Sequence, residues 1–166
     1  MAVDPAIRPG EVLSTVDPAR LAPDAGLVFI GRAHTPWNDR TETPKSLRRA
    51  RERGGAVEIE IDAPWRPGLK DLAAGSVIVL LTWFDRSRRD LVIQAPRHSE
   101  GETGVFSLRS PVRPNPIGLH VVRLLACDAD AGRLIPDALD CLDGTPVLDI
   151  KPWLPSLDVP PEDGAP

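Results

Sequence analysis

Between residues 57 and 62 the chain reads Val-Glu-Ile-Glu-Ile-Asp, a strict two-residue alternation of apolar and acidic side chains. Only an extended strand sends successive side chains to opposite faces, so this segment predicts a strand with one buried and one wet face, as in an antiparallel sheet. The run VIVLL at 77–81 is apolar on both faces and predicts a central strand. Leu27–Ile30, Leu91–Gln94, Leu119–Leu125 and Val147–Ile150 are further strand candidates. Thirteen glycines and nineteen prolines in 166 residues favour turns over long helices. One helix is expected, with Thr43 as N-cap, Pro44 at its first position, KSLRRARER as its body and Gly54 as its stop. A shorter helical turn is expected over Leu69–Ala74. Many short strands separated by Gly/Pro turns argue for a barrel or a sandwich rather than a doubly wound sheet.

The length is that of one domain. The expected organisation is a loose leader over residues 1–25, a barrel domain over 26–158 and a flexible tail over 159–166. No stretch reaches the ~18 apolar residues of a membrane span. The opening MAVDPAIRPGEV lacks the basic-then-apolar order of a secretory signal, so a cytoplasmic location is expected. Cys127 and Cys141 do not form a CxxC pair and the three histidines are scattered, so reduced thiols are expected, with no metal site. The chain contains no GxGxxG after a strand, no GxxxxGK[ST], no GxSxG and no HExxH. These absences argue against a Rossmann dinucleotide site or a P-loop, and leave any catalytic site to loops on a β scaffold.

Charge is unevenly placed. Net charge is −4, yet residues 32–123 carry a net +5 and the two flanks a net −9. The run Lys45, Arg48, Arg49, Arg51 and Arg53, and a second run of Arg86, Arg88 and Arg89, suit a polyanionic partner; they equally fit ordinary solvated charges.

Two segments carry chemistry. In Gly104–Leu119, Pro111, Pro114 and Pro116 stiffen the backbone and push the residues before them into extended conformations. Arg109, Arg113 and Asn115 are thereby held with little entropy left to lose on binding, and an arginine fork pairs bidentately with carboxylate or phosphate. A rigid connection with solvated arginines fits the same composition. The second segment, LDCLDGTPVLDIKPW at 139–153, has a strong turn signal at Asp143-Gly144-Thr145-Pro146, with Asp140 and Asp149 on either side. Its acids suit a ligand hydroxyl or ammonium, or are solvated on a plain hairpin.

RSPVRPNPIGL (109–119) and LDGTPVLDIKPW (142–153) together resemble the TsaA-like family, also called UPF0066 or TrmO. Ile30-Gly31, Thr35-Pro36-Trp37, Pro44-Lys45-Ser46 and Gly68-Leu69-Lys70-Asp71-Leu72 extend the likeness over roughly residues 27–158. The resemblance implies a small antiparallel β-barrel, commonly dimeric, and S-adenosylmethionine-dependent methyl transfer to N6 of threonylcarbamoyladenosine in tRNA, at position 37 beside the anticodon. It places cofactor contacts at Pro44, Lys45, Ser46, Asp85, Arg86, Arg109 and Leu119, and along a strand formed by Asp137, Ala138, Leu139 and Asp140. Asp140 and Asp143 are candidates for a proton acceptor, although the family fixes no general base. Arg48, Arg49, Arg51, Arg113 and Asn115 are candidates for the anticodon loop of tRNA. Trp37 and Trp83 are either stacking platforms for an extruded base or core residues. The chain departs from the family at Gly75-Ser76-Val77 and at Asp85, where histidines are usual, and in Phe106-Ser107-Leu108 before Arg109. Those departures keep two alternatives open: a related methyltransferase with another acceptor, and a non-enzymatic module that senses cofactor or binds RNA.

Overall fold

The computed structural model describes residues 7–17, 21, 26–96 and 101–160. The rest of the expected leader (1–6, 18–20 and 22–25), residues 97–100 and the end of the expected tail (161–166) lie outside the described residues. The strands in chain order are β1 (Val12–Leu13), β2 (Gly31–His34), β3 (Glu58–Ile61), β4 (Val77–Trp83), β5 (Leu91–Gln94), β6 (Thr103–Gly104), β7 (Ile117–Asp128), β8 (Arg133–Pro136) and β9 (Thr145–Pro152). Two helices, α1 (Leu47–Arg53) and α2 (Pro155–Asp158), are short. The chain divides into two compact units. One comprises Trp83–Gly118 with the N-terminal segment to Leu27, and the other comprises Val28–Thr82 with the chain from Leu119 onward.

Six strands close a barrel in the order β2-β3-β8-β7-β4-β9. β2 runs antiparallel to β3 and β9, β3 to β8, β8 to β7, and β4 to β9. The two-residue alternation is the reason. Ile59 and Ile61 of β3, Ile78 and Leu80 of β4, Val122 and Leu124 of β7, and Leu134 of β8 all point inward and are buried. Each such side chain contributes about 1.5–3 kcal/mol relative to exposure. At the inward positions between them, β4 carries Thr82 and β7 carries His120, both buried. Gly31 starts β2 opposite Ile61, and a Cβ there would lie 2.0 Å from the Glu60 carbonyl oxygen. Closing the barrel at this edge therefore requires glycine.

In the other unit β1, β5 and β6 form a three-stranded sheet, and a 3-10 turn covers Val105–Ser107. The residues around β1, expected to be a loose leader, pair with β5 at Val12↔Ile93 and Leu13↔Leu91.

Several boundaries differ from expectation. Leu27–Ile30 is not a strand; β2 begins at Gly31, after Ile30 has donated its N–H to the Val147 carbonyl. The helix starts later than expected. Ser46, not Thr43, is its N-cap and accepts from the Arg49 N–H, while Thr43 bonds back to the Asp39 carbonyl. Gly54 stops it as expected, at φ 68°. The short helical turn lies at Ala63–Leu69 rather than Leu69–Ala74, because Asp71 takes a positive φ of 71° that ends any helix there. Asp137–Asp140 is not a strand either: β8 ends at Pro136, and the next residues run irregularly through buried surroundings. After β9 the chain makes the single turn α2. No helix among the described residues is long and apolar enough to cross a membrane.

Candidate active site

The segment from Asp137 to Gly144, between β8 and β9, belongs to no strand, so its polar groups find partners one at a time. The Leu139 carbonyl accepts from the Trp37 indole N–H at 3.0 Å, and the Cys141 carbonyl accepts from the Thr35 hydroxyl at 2.9 Å. The Asp143 carboxylate accepts the Thr35 N–H at 3.0 Å, and the Gly144 N–H reaches the Ala33 carbonyl. Ala138, Leu139 and Cys141 are buried. The sequence motif Thr35-Pro36-Trp37 is thus the backing of this segment. Trp37, only 5% exposed, is a core residue rather than an open stacking platform, with the Arg53 guanidinium 4.4 Å from its ring centroid.

Asp137 has both carboxylate oxygens engaged within the protein. One accepts from Arg51 Nε at 2.7 Å, and the other from the Arg123 N–H at 3.1 Å. Arg51 also donates to the Val121 carbonyl, so this arginine fastens α1 to the barrel. Lys45, Arg48 and Arg49 line the exposed side of the same element, and Pro44 is buried beneath it. Asp140 differs from Asp137. His120 Nδ1 lies 2.7 Å from Asp140 Oδ1, while Oδ2 has no protein hydrogen bond among the described residues and the side chain is 20% exposed. His120 Nε2 lies 3.0 Å from the Thr82 hydroxyl. Leu119, next to His120 on the opposite face of β7, is 44% exposed.

Burial, and then the neighbouring Asp140 carboxylate, push the Cys141 thiol up to about 12. The thiol is therefore no nucleophile at neutral pH. An unfolded thiol ionises near ~8.5, so the folded state loses stability relative to the unfolded state as pH rises from there toward the folded value. Denaturant titrations at rising pH should show that decline, and a Cys141→Ala variant should lack this part of it. Alkylation of Cys141 at pH 8 should require unfolding.

In the other unit, the proline-rich loop is held by its own arginine. Arg113 donates from Nε to the Ser110 carbonyl at 2.9 Å and from one terminal nitrogen to the Val105 carbonyl at 3.0 Å and the Leu108 carbonyl. The fork expected to meet a ligand anion is here turned onto the loop itself. Gln94 adds a bond to the Val112 carbonyl at 2.7 Å, and Arg89 one to the Pro114 carbonyl at 2.6 Å, with its guanidinium 5.4 Å from the Trp83 ring centroid. Arg109 and Asn115 are exposed on this braced loop, as is Phe106 at 83%. Asp85 and Arg86 are exposed on the turn that follows β4.

Among the described residues no group of three or more His, Cys, Asp or Glu is placed to hold a metal ion. In the barrel unit the partly exposed Asp140 carboxylate suits an ammonium or a hydroxyl; in the other unit the exposed Arg109 suits a carboxylate. Residues 32–159 match the family model described as tRNA-methyltransferase O N-terminal domain. The chain belongs to this family.

Relatives within and around the tRNA-methyltransferase O family agree. A probable S-adenosyl-L-methionine-binding protein, VirR, of Rhizobium radiobacter is 43% identical over 129 residues, covering 78% of this chain and 71% of that protein. The tRNA (adenine(37)-N6)-methyltransferase of Escherichia coli is 32% identical over 144 residues, covering 82% of this chain and 60% of that protein. A crystal structure of TrmO from Pseudomonas aeruginosa superposes with a TM-score of 0.65 at 31% identity, over 89% of this chain and 62% of that one. The chain thus spans less than two thirds of the methyltransferases it matches, and 34% of a probable S-adenosyl-L-methionine-binding protein of Archaeoglobus fulgidus that is 42% identical to it.

Sequence reading missed His120 and Thr82. The available signal was phase: His120 shares its strand face with Gly118, Val122 and Leu124, and so had to be buried. Its partner Asp140 is 20 residues away and lies on no strand, so alternation could not reveal the pair.

Proposed function

We propose that this chain is an S-adenosylmethionine-dependent methyltransferase acting on tRNA, with N6 of threonylcarbamoyladenosine at position 37 as its acceptor. The observation that carries this reading is the match to the tRNA-methyltransferase O N-terminal domain over residues 32–159. It is supported by the partly exposed carboxylate of Asp140 and by the exposed Arg109 on a braced loop.

The cofactor supplies an electrophilic methyl group on a sulfonium centre. In this reading Asp140 accepts a hydrogen bond from it, Arg109 pairs with its carboxylate, and Pro44, Lys45, Ser46, Asp85, Arg86, Leu119, Ala138 and Leu139 line its site, several through backbone groups. Asp137 acts indirectly, by fixing α1 through Arg51. Arg48, Arg49 and Asn115 meet the phosphates and bases of the anticodon loop. Asp143 is the further candidate to take the N6 proton. Orientation alone can supply about 7–11 kcal/mol of such a barrier, which is why rigid loops matter more here than strong acids or bases.

The test is incubation of the purified chain with S-adenosylmethionine and tRNA bearing threonylcarbamoyladenosine, followed by nucleoside mass spectrometry. One added methyl on that nucleoside is expected, and Arg109→Ala should weaken cofactor binding about tenfold, the size of one charge-assisted hydrogen bond. Methylation of another nucleoside would favour the related transferase. Cofactor binding without any methylated product would favour the sensing module.

We also propose that the chain works as a homodimer. Val77, Val79 and Leu81 of β4 and Leu119, Val121 and Leu125 of β7 make the outer face of two neighbouring strands largely apolar, with Arg123 the charged residue among those of β7, and Leu125 is 60% exposed. Sedimentation of Leu125→Glu should show a monomer where the parent chain sediments as a dimer.

A further inference from the structure

The barrel interior holds one polar pair that folding does not require. His120 is 2% exposed and Thr82 0%, on neighbouring strands, surrounded by Ile78, Leu80, Val122 and Leu124 at the adjacent inward positions. Valine and leucine at these two positions would keep the alternation and avoid the cost of burying polar groups. The pair is also directional. A carboxylate only accepts, so His120 Nδ1 carries the hydrogen toward Asp140 Oδ1, while Nε2 meets the Thr82 hydroxyl, which can donate or accept. Asp140 thereby puts a hydrogen on Nδ1, Thr82 steadies the ring from its other side, and the ring holds the carboxylate. One oxygen of Asp140 is anchored by His120; the other has no hydrogen bond among the described residues, on a side chain that is 20% exposed.

We propose that His120, backed by Thr82, is a positioning residue: it aims Asp140 Oδ2 as the hydrogen-bond acceptor for a donor group of the cofactor, either its ammonium or a ribose hydroxyl. The inference deepens the reading that this chain binds S-adenosylmethionine and rests on it. Asp140 touches the ligand; His120 and Thr82 act through Asp140. The chain of contacts resembles the support that buried second partners give to metal-ligating or catalytic side chains, whose loss loosens the functional group without removing it.

The experiment is calorimetric titration of S-adenosylmethionine into the parent chain and into His120→Leu, His120→Asn and Thr82→Val, each first checked by circular dichroism. Asparagine places an amide N–H close to the position of Nδ1 and preserves the bond to Asp140. Expected are a loss of about tenfold in affinity for His120→Leu, recovery to within about threefold for His120→Asn, and an intermediate loss for Thr82→Val. Asp140→Asn should show a similar loss, and combining it with His120→Leu should add little, because the two act through one contact. If His120→Leu does not fold, His120→Asn and Thr82→Val carry the comparison.

Unchanged cofactor affinity in all three variants overturns the inference and leaves the proposed function standing. No cofactor binding by the parent chain overturns both. Where turnover is measurable, a rise in the KM for cofactor at constant kcat is expected. A fall confined to kcat would assign Asp140 to proton transfer and overturn its role in holding the cofactor.

Discussion

Gly31→Val should be the most destabilising single substitution in the barrel. The new Cβ would sit 2.0 Å from the Glu60 carbonyl oxygen and 3.0 Å from both the Glu60 carbonyl carbon and Ile61 Cα. All three are backbone atoms of the neighbouring strand, so no side-chain rotation relieves the clash. β2 bonds to β3 on one side and to β9 on the other, so moving it opens the barrel at two seams. Overpacking commonly costs about 1–3 kcal/mol and occasionally more, and lost ladder bonds add to it here. We expect a loss of about 3 kcal/mol or more, or a fall in Tm of about 6–12 °C for a chain of this size, read by thermal and denaturant unfolding. Gly68→Ala is the control: its added Cβ meets nothing within 4 Å. A Tm for Gly31→Val within a degree or two of the parent would show that the barrel does not depend on this close approach.

Arg113→Ala should be the most damaging change in the proline-rich loop. Its guanidinium bonds to the carbonyls of Val105, Leu108 and Ser110, and the prolines that follow, Pro111, Pro114 and Pro116, have no N–H groups to offer in exchange. Bonds from a charged donor are worth about 1.5–3 kcal/mol each when buried, and these are partly exposed, so a total near 2–4 kcal/mol is expected. Since the loop carries Arg109 and Asn115, methyl transfer should fall by about two orders of magnitude as well, in line with the sensitivity of transfer reactions to small misplacements. Hydrogen exchange over residues 104–116 should quicken in the variant. Arg113→Lys should recover little, because an ammonium on a flexible stem cannot reproduce the planar fork. Exchange rates and turnover like those of the parent chain would show that the prolines alone suffice to shape the loop.

The strongest strand signals lie where the sequence puts them. The alternating segment 57–62 contains β3, the apolar run 77–81 falls within β4, and Leu91–Gln94 matches β5. The apolar run in β4 explains a further detail: its outer residues are only half covered, which leaves the face we propose for dimer contact. Short strands with a weak pattern were not legible. β1 and β6 are two residues each, and β8, where no strand was expected, is one because β3 and β7 supply its partners. The helix start slipped because Thr43 and Ser46 both have the chemistry of an N-cap. The choice fell to Ser46 because the Thr43 hydroxyl had an acceptor in the Asp39 carbonyl.

The candidate site divides in the same way. Local chemistry was enough to mark the prolines as a stiffener and Asp140, Asp143 and Asp149 as acids around a turn. It could not separate the acids by role, nor show the close approach at Gly31. Asp137 is tied to Arg51, 86 residues away in sequence, and Asp140 to His120 of β7, while Arg113, one of the two arginines expected to meet an anion, turned to its own loop. Backbone periodicity and turn preference are properties of neighbouring residues, and so the sequence determined the barrel and its rigid loops. Which side chain pairs with which depends on groups brought together only after the barrel closes, and so tertiary structure alone decided that Asp137 is bonded through both oxygens and Asp140 through one.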